Sequence, residues 1–221
     1  MLTKKWMRRS LAMLGALTLT AGLWAAPAMA EEKTYTQPTL NPHVKSIIEV
    51  DGYQFIDLNS NGELDVYEDW RQDADTRAAD LVSQMTVREK ISQMQHPTFL
   101  PRADGEIPPY LQEWCNQESI GMLLIRELNS VEAAANTMNI IQEYAEGSRL
   151  GVPVLVSMDS MHGLSYVSGS TVTPHNLALA ATRDEELVTK LAEIAREEHL
   201  AVGVRMTLSP EADIASEPRW G

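Results

Sequence analysis

Apolar positions recur along this chain in two rhythms, and the rhythms alternate. Between residues 74 and 85, Ala78, Leu81, Val82 and Met85 fall at helical spacing. Thr86-Val-Arg-Glu89 follows as a capping box, in which hydroxyl and carboxylate satisfy each other's orphan backbone donors, and it opens a short helix through residue 94. Residues 120–125 (I-G-M-L-L-I) read as a buried strand. Ser130 can cap the next helix, where Val131, Ala134, Ala135, Met138 and Ile141 make one stripe. Gly147 and Gly151 punctuate its end, and residues 153–159 form a second strand. Thr182-Arg-Asp-Glu185 reads as another capping box, starting a helix with Leu187, Val188, Leu191, Ile194 and Ala195 on one face. Gly203 ends it, and residues 204–209 form a third strand. The proline-rich stretch 96–119 has no clear period and reads as a loop or insertion.

Strand, helix, strand, helix, strand implies parallel pairing with right-handed crossovers. The fold class expected is α/β, an incomplete (β/α)8 TIM-type barrel of about the first three strands. A whole barrel needs eight strands and typically about 250 residues, so the chain reads as the front part of a larger protein, truncated inside the barrel. The alternative is a small open three-stranded α/β domain, whose sheet edges would be left exposed.

The first thirty residues read as a secretory signal: a basic start (Lys4, Lys5, Arg8, Arg9), an apolar run to Trp24, then Ala28-Met29-Ala30 ahead of Glu31-Glu32. Cleavage is expected after Ala30, with export to the periplasm or beyond, and no cysteine stands directly after that site to carry a lipid anchor. Removing the signal takes four positive charges and no acid, so the formal charge of −13 falls to −17. So acidic a chain repels nucleic acid and anionic membranes and suits a neutral or cationic substrate. Cys115 is the only cysteine, so no internal disulfide is expected. Residues 31–45 are polar and aperiodic and read as a flexible leader. The organisation expected is signal 1–30, extension 31–75 and partial barrel domain 76–221.

Two stretches carry chemistry. Residues 154–163 (V-L-V-S-M-D-S-M-H-G) are a short apolar strand delivering the carboxylate of Asp159 to its C-terminal end, followed by a His-Gly turn. Strand ends of this kind build the sites of barrel and open-sheet proteins. A charge there meets a polar ligand or is neutralised by a neighbour, and the pattern leaves both open. Residues 57–68 (D-L-N-S-N-G-E-L-D-V-Y-E) fit a twelve-residue calcium loop. Asp57, Asn59 and Asn61 take positions one, three and five, and Gly62 the sharp turn at six. Glu63 offers its backbone carbonyl at seven, Asp65 stands at nine, and Glu68 can bind through both oxygens at twelve. Residues 47–56 are β-formers rather than an incoming helix, so only an outgoing helix over 65–70 is expected, and an EF-hand-like loop holding structural Ca²⁺.

In this order the motifs resemble glycoside hydrolase family 3, the β-glucosidase group. Residues 77–90 (R-A-A-D-L-V-S-Q-M-T-V-R-E-K) resemble its first helix and turn, 148–155 (S-R-L-G-V-P-V-L) its "SRLGIPLL", and 158–163 its "VDAxHG". Residues 173–176 (T-P-H-N) resemble "FPHN", and 180–184 the "AATxD" helix start. Ser209-Pro210, Asp213 and 218–221 (P-R-W-G) resemble "SPxxDxxxDPRWGR". The resemblance implies exo-acting hydrolysis of terminal β-linked glucosyl residues with retention, on β-glucosides or gluco-oligosaccharides, with no cofactor for the chemistry itself. It gives Asp159 the hydroxyls of the first-subsite sugar, with His162, Arg219 and Trp220 as possible neighbours. Met161-His162-Gly163 stands where an N-acetylglucosaminidase branch has Glu-Gly-Gly, which favours a glucosidase-like pocket. His162 reads as a tie for the turn or a donor to sugar, His175 as ordering its loop, Arg219 as a partner for Asp213, and Trp220 as pocket rim or core. The family's nucleophilic Asp and acid/base Glu match no motif here, Glu211 and Asp213 included, so the chain alone is expected to be inactive. The competing reading is a secreted calcium-binding module without catalysis.

Overall fold

Four short strands run parallel in the computed structural model, which describes residues 34–101, 107–210 and 219. They are β3 (Thr98–Phe99), β4 (Met122–Ile125), β5 (Leu155–Met158) and β6 (Met206–Thr207), side by side in that order. Sequence order equals spatial order, as in the wall of a barrel. The chain divides into two compact units, residues 1–35 and 36–221, and the second holds everything described below.

Only three of these strands are legible in the sequence. β3 has two residues inside the stretch expected to be a loop, too few to show a period. Its neighbour completes it: Leu124 donates its N–H to the Pro97 carbonyl at 3.0 Å, and Phe99 pairs with Ile125. The same stretch also folds a short helix α3 (Pro109–Gln112) running into a π-helical turn, Glu113–Gln117, which buries Leu111 and Cys115.

Registers place Leu123 beside Val156, and strand alternation carries Phe99, Ile125 and Met158 into one row on the same sheet face. All five are buried and cluster with Ala134, Met138 and Ile141 of α4 (Val131–Glu146). Ser130 caps α4 as expected, its Oγ accepting from Ala133 N–H at 3.0 Å. Val131 stays 42% exposed, however, and Thr137 is buried in the stripe instead. The sheet's other face carries Leu124, Ser157 and the residues beyond the strand ends. Gly121 lets β4 start hard against helix α2 (Val87–Ser92): a Cβ there would stand 2.3 Å from the Gln93 carbonyl oxygen.

The capping box at Thr86 forms in full, with Glu89 N–H to Thr86 Oγ1 at 3.2 Å and Thr86 N–H to Glu89 Oε2 at 2.7 Å. Thr182 does not cap a helix. It closes α5 (Asn176–Thr182), where Arg183 turns left-handed at φ 55°, so the chain restarts two residues late and Asp184 caps α6 (Glu185–Ala201) through Leu187 N–H at 3.0 Å. The α6 stripe is thinly covered: Leu187, Val188 and Ile194 remain 36–41% exposed.

The segment ahead of the sheet is a hairpin, β1 (Ser46–Val50) and β2 (Tyr53–Asp57), closed by Asp51-Gly52 with both φ positive, the combination a two-residue turn demands. Phe55 is fully buried and stacks on Trp70 at 5.4 Å. The helix expected over 65–70 is only a turn; helix α1 (Ala74–Gln84) begins later, capped by Asp73. Residues 36–45 are not a loose leader. Glu146, in the last turn of α4, accepts the backbone N–H groups of His43, Val44 and Lys45 at 3.0, 2.9 and 2.8 Å. Burial alone would raise this carboxyl, but the three N–H groups outweigh it and hold it below the usual range.

Two outcomes follow. Glu146→Ala should cost about 1–3 kcal/mol and open residues 36–45 to protease, read by urea melts and limited proteolysis. Glu89 is held down to about 2 by the two-armed Arg149 guanidinium (2.9 and 2.6 Å), with the Thr86 donors adding to it. Its contribution is therefore present above the unfolded pKa near 4.5 and lost as pH falls toward 2. Glu89→Gln should lower the Tm at pH 7 and shrink the loss of Tm across that acid window.

Candidate functional site

Asp159 is the first residue after β5, and Arg126 the first after β4. The β4–β5 register continues to these two, so they stand opposite each other at neighbouring strand ends, and the Arg126 Nη2 donates to Asp159 Oδ2. Alternation puts both on the face that carries Ser157, away from α4. The Asp159 side chain is 19% exposed and that of Arg126 40%, so the pair opens to solvent rather than lying sealed in the core. Of the two fates open to the charge at the strand end, neutralisation by a neighbour is realised, and access is retained.

Arg126 carries a signal of its own in the sequence: a basic residue directly after a predicted strand, in the relation Asp159 bears to the next one. Its guanidinium lies 5.8 Å from the centre of the Tyr166 ring, and its Nε is buried without a hydrogen-bond partner among the described residues.

His162 ties its turn. Its Nδ1 faces the Thr173 carbonyl at 3.0 Å and so carries the proton, while Thr173 N–H returns a bond to the His162 carbonyl at 3.1 Å. Gly163 makes this possible at φ 71°. His175 meets His162 edge-on at 5.5 Å and accepts Leu177 N–H through Nδ1 at 3.2 Å, which orders the loop into α5. Arg219 lies in an exposed turn; Trp220, Glu211 and Asp213, like the signal segment 1–30, lie outside the described residues.

The turn after Asp159 is braced by a contact between distant residues. His199 of α6 is buried, with Nδ1 facing the Ala195 carbonyl at 2.6 Å, so its Nε2 is the acceptor for the Ser160 hydroxyl at 2.6 Å. Ser160 N–H donates to Ser209 Oγ at 3.2 Å, joining the ends of β5 and β6. A cavity of about 370 Å³ opens beside this pair, walled by Leu191, Ala195 and Met206. Ser160 lines it and Asp159 does not.

In the loop 57–68, Asp57 accepts Asn61 N–H and Gly62 N–H, each at 3.0 Å, and Gly62 turns at φ 80°. Glu68 reaches back to Leu58, Asn59 and Asp65 N–H at 2.7, 3.2 and 3.1 Å. Asp65 Oδ2 accepts the side-chain amides of Asn59 and Asn61, both at 2.7 Å. Asp57 and Glu68 are 3% and 4% exposed, and burial raises the Glu68 carboxyl. Position by position the oxygen donors are those a hard cation takes, and neither buried carboxylate has a Lys or Arg partner among the described residues. Yet the carboxylates are turned onto backbone N–H groups, and no three His, Cys, Asp or Glu side chains converge on a metal position among the described residues.

Comparison with known proteins decides the family. Residues 86–221 match the glycosyl hydrolase family 3 N-terminal domain. The chain belongs to glycosyl hydrolase family 3. A "Periplasmic beta-glucosidase/beta-xylosidase" of Dickeya chrysanthemi is 38% identical over 200 residues, covering 83% of this chain and 30% of that protein. "Beta-glucosidase C" of Emericella nidulans is 34% identical over 170 residues, or 71% of this chain and 27% of that protein. The chain thus spans about 30% of the length of the curated relatives it matches. Among solved structures, a family 3 β-N-acetylglucosaminidase of Paenibacillus sp. superposes with TM-score 0.52 at 27% identity, over 57% of this chain and 24% of that one. An exo-1,3/1,4-β-glucanase from a Pseudoalteromonas species gives 0.51 at 21% identity over 67% of this chain and 19% of that one, a likeness of fold. No described helix is long and apolar enough to cross a membrane.

Proposed function

We propose that this chain forms part of an exported β-glucosidase-like hydrolase that removes terminal β-linked glucosyl residues with retention from β-glucosides or gluco-oligosaccharides. The observation that carries the reading is Asp159: an accessible carboxylate at the end of a parallel strand, inside the motif that resembles the family's "VDAxHG". A carboxylate can accept from two neighbouring hydroxyls at once, and charged acceptors form the stronger bonds. Relatives named for β-glucosidase activity, two of them also for a periplasmic location, support the substrate class and the export route.

Retaining hydrolysis needs a nucleophile and an acid/base carboxyl about 5–5.5 Å apart. Neither is matched by a motif in these 221 residues, so this part of the molecule binds and orients sugar and the bond-breaking carboxyls come from elsewhere in the enzyme. In titrations followed by ligand-observed NMR, methyl β-D-glucoside should bind the purified chain, and Asp159→Asn should weaken it by roughly tenfold or more. Turnover of a chromogenic β-glucoside should not exceed that of a buffer control. Equal binding by the wild type and Asp159→Asn would sink the assignment of the carboxylate.

The same reading gives the loop 57–68 a structural calcium ion, held by Asp57, Asn59, Asn61, the Glu63 carbonyl, Asp65 and Glu68. The ion would offset two buried carboxylates and turn the Asn59 and Asn61 oxygens inward. Calcium at a hundred times its Kd should stabilise the chain by about 2.7 kcal/mol. Asp57→Ala should abolish the calcium-dependent rise in Tm, and magnesium should substitute poorly.

A further inference from the structure

We propose that Arg126 is a second sugar-binding residue, donating to the hydroxyl next to those that Asp159 accepts from. The proposal rests on the reading of Asp159 as a sugar-binding carboxylate. An arginine that only neutralises a carboxylate is free to engage it with both arms, and this molecule supplies the comparison: Arg149 grips Glu89 through Nε and Nη2 at 2.9 and 2.6 Å. Arg126 engages Asp159 through Nη2 alone, and its buried Nε has no partner among the described residues. The Arg126 side chain as a whole is nonetheless two-fifths exposed, so it borders an opening.

Its position is fixed from three sides. β4 supplies the backbone, Asp159 holds one nitrogen, and the Tyr166 ring lies against the cation. The Tyr166 segment is itself anchored to the stretch that follows β4 and carries Arg126, since Leu128 N–H donates to the Tyr166 carbonyl at 2.8 Å and Ser168 N–H to the Leu128 carbonyl at 2.9 Å. A sugar hydroxyl both donates and accepts. An acceptor-only carboxylate beside a donor-only guanidinium therefore meets both needs of neighbouring hydroxyls, which an isolated Asp159 does not.

The test is a ligand-observed NMR titration of the full chain with D-glucose and its monodeoxy series, repeated on Arg126→Met, Arg126→Lys and Asp159→Asn. One deoxy sugar should bind the wild type roughly tenfold more weakly than glucose, and Arg126→Met should erase that one difference while the others persist. Arg126→Lys restores charge without the planar fork and should recover only part of it. The proposal is overturned if Arg126→Met weakens every sugar by the same factor, or if Arg126→Lys matches the wild type, because either outcome is mere neutralisation. If the wild type binds no better than Asp159→Asn, the sugar-site reading itself fails and Arg126 falls with it. Thermal melts check folding; should the Met variant be unfolded, the same criterion is read on Arg126→Gln.

Discussion

A charge at the end of a buried strand has to be answered, and the answer here comes from the next strand. Asp159 follows four residues of β5 whose side chains are mostly inaccessible, so its carboxylate emerges where the sheet gives way to solvent. Parallel register brings Arg126 opposite it from β4. The pair orients the rim, and everything around it works to hold the two strand ends still. Ser160 is clamped to Ser209 and His199, His162 to Thr173, and Leu128 to Tyr166. The strand ends are therefore tied to their neighbours while the Asp159–Arg126 pair stays open to solvent.

The rest of the molecule meets the same problem repeatedly, because the chain has 31 acids against 18 Lys and Arg. Cations cannot answer every carboxylate, so backbone N–H groups do. Glu146 gathers three of them and thereby ties residues 43–45 to α4. Glu68 gathers three more within its own loop, and Asp57 two. Glu89 spends one oxygen on its capping box and still receives both arms of Arg149. Acidity in this protein is thus partly internal wiring, and only in part a solvated surface.

Legibility followed the length of each signal. Helices α1, α2 and α4 were readable because several apolar positions and a capping residue agreed with one another, as at Thr86 and Glu89. Strands β4 and β5 were readable as apolar runs. β3 was not, since two residues carry no period and only the Leu124 N–H and the Ile125 backbone make Thr98–Phe99 a strand. Thr182 misled because its spacing to Glu185 imitates a capping box, while a left-handed Arg183 had already broken the helix. Residues 36–45 looked loose because their partner, Glu146, lies a hundred residues away.

The candidate site divides the same way. Asp159 was legible alone, since a carboxylate closing an apolar run announces itself within ten residues. Local sequence, through hydrophobic spacing, caps and turn residues, determined which segments are helix or strand, and the ordered motifs determined the family. What it could not determine was pairing: that Arg126 faces Asp159, that His199 holds Ser160, that Glu146 closes the extension. Such contacts depend on strand register and on helices meeting across long stretches of chain. Only the folded sheet sets those distances, because the residues concerned are 33 to 103 positions apart and exert no force on each other until it forms.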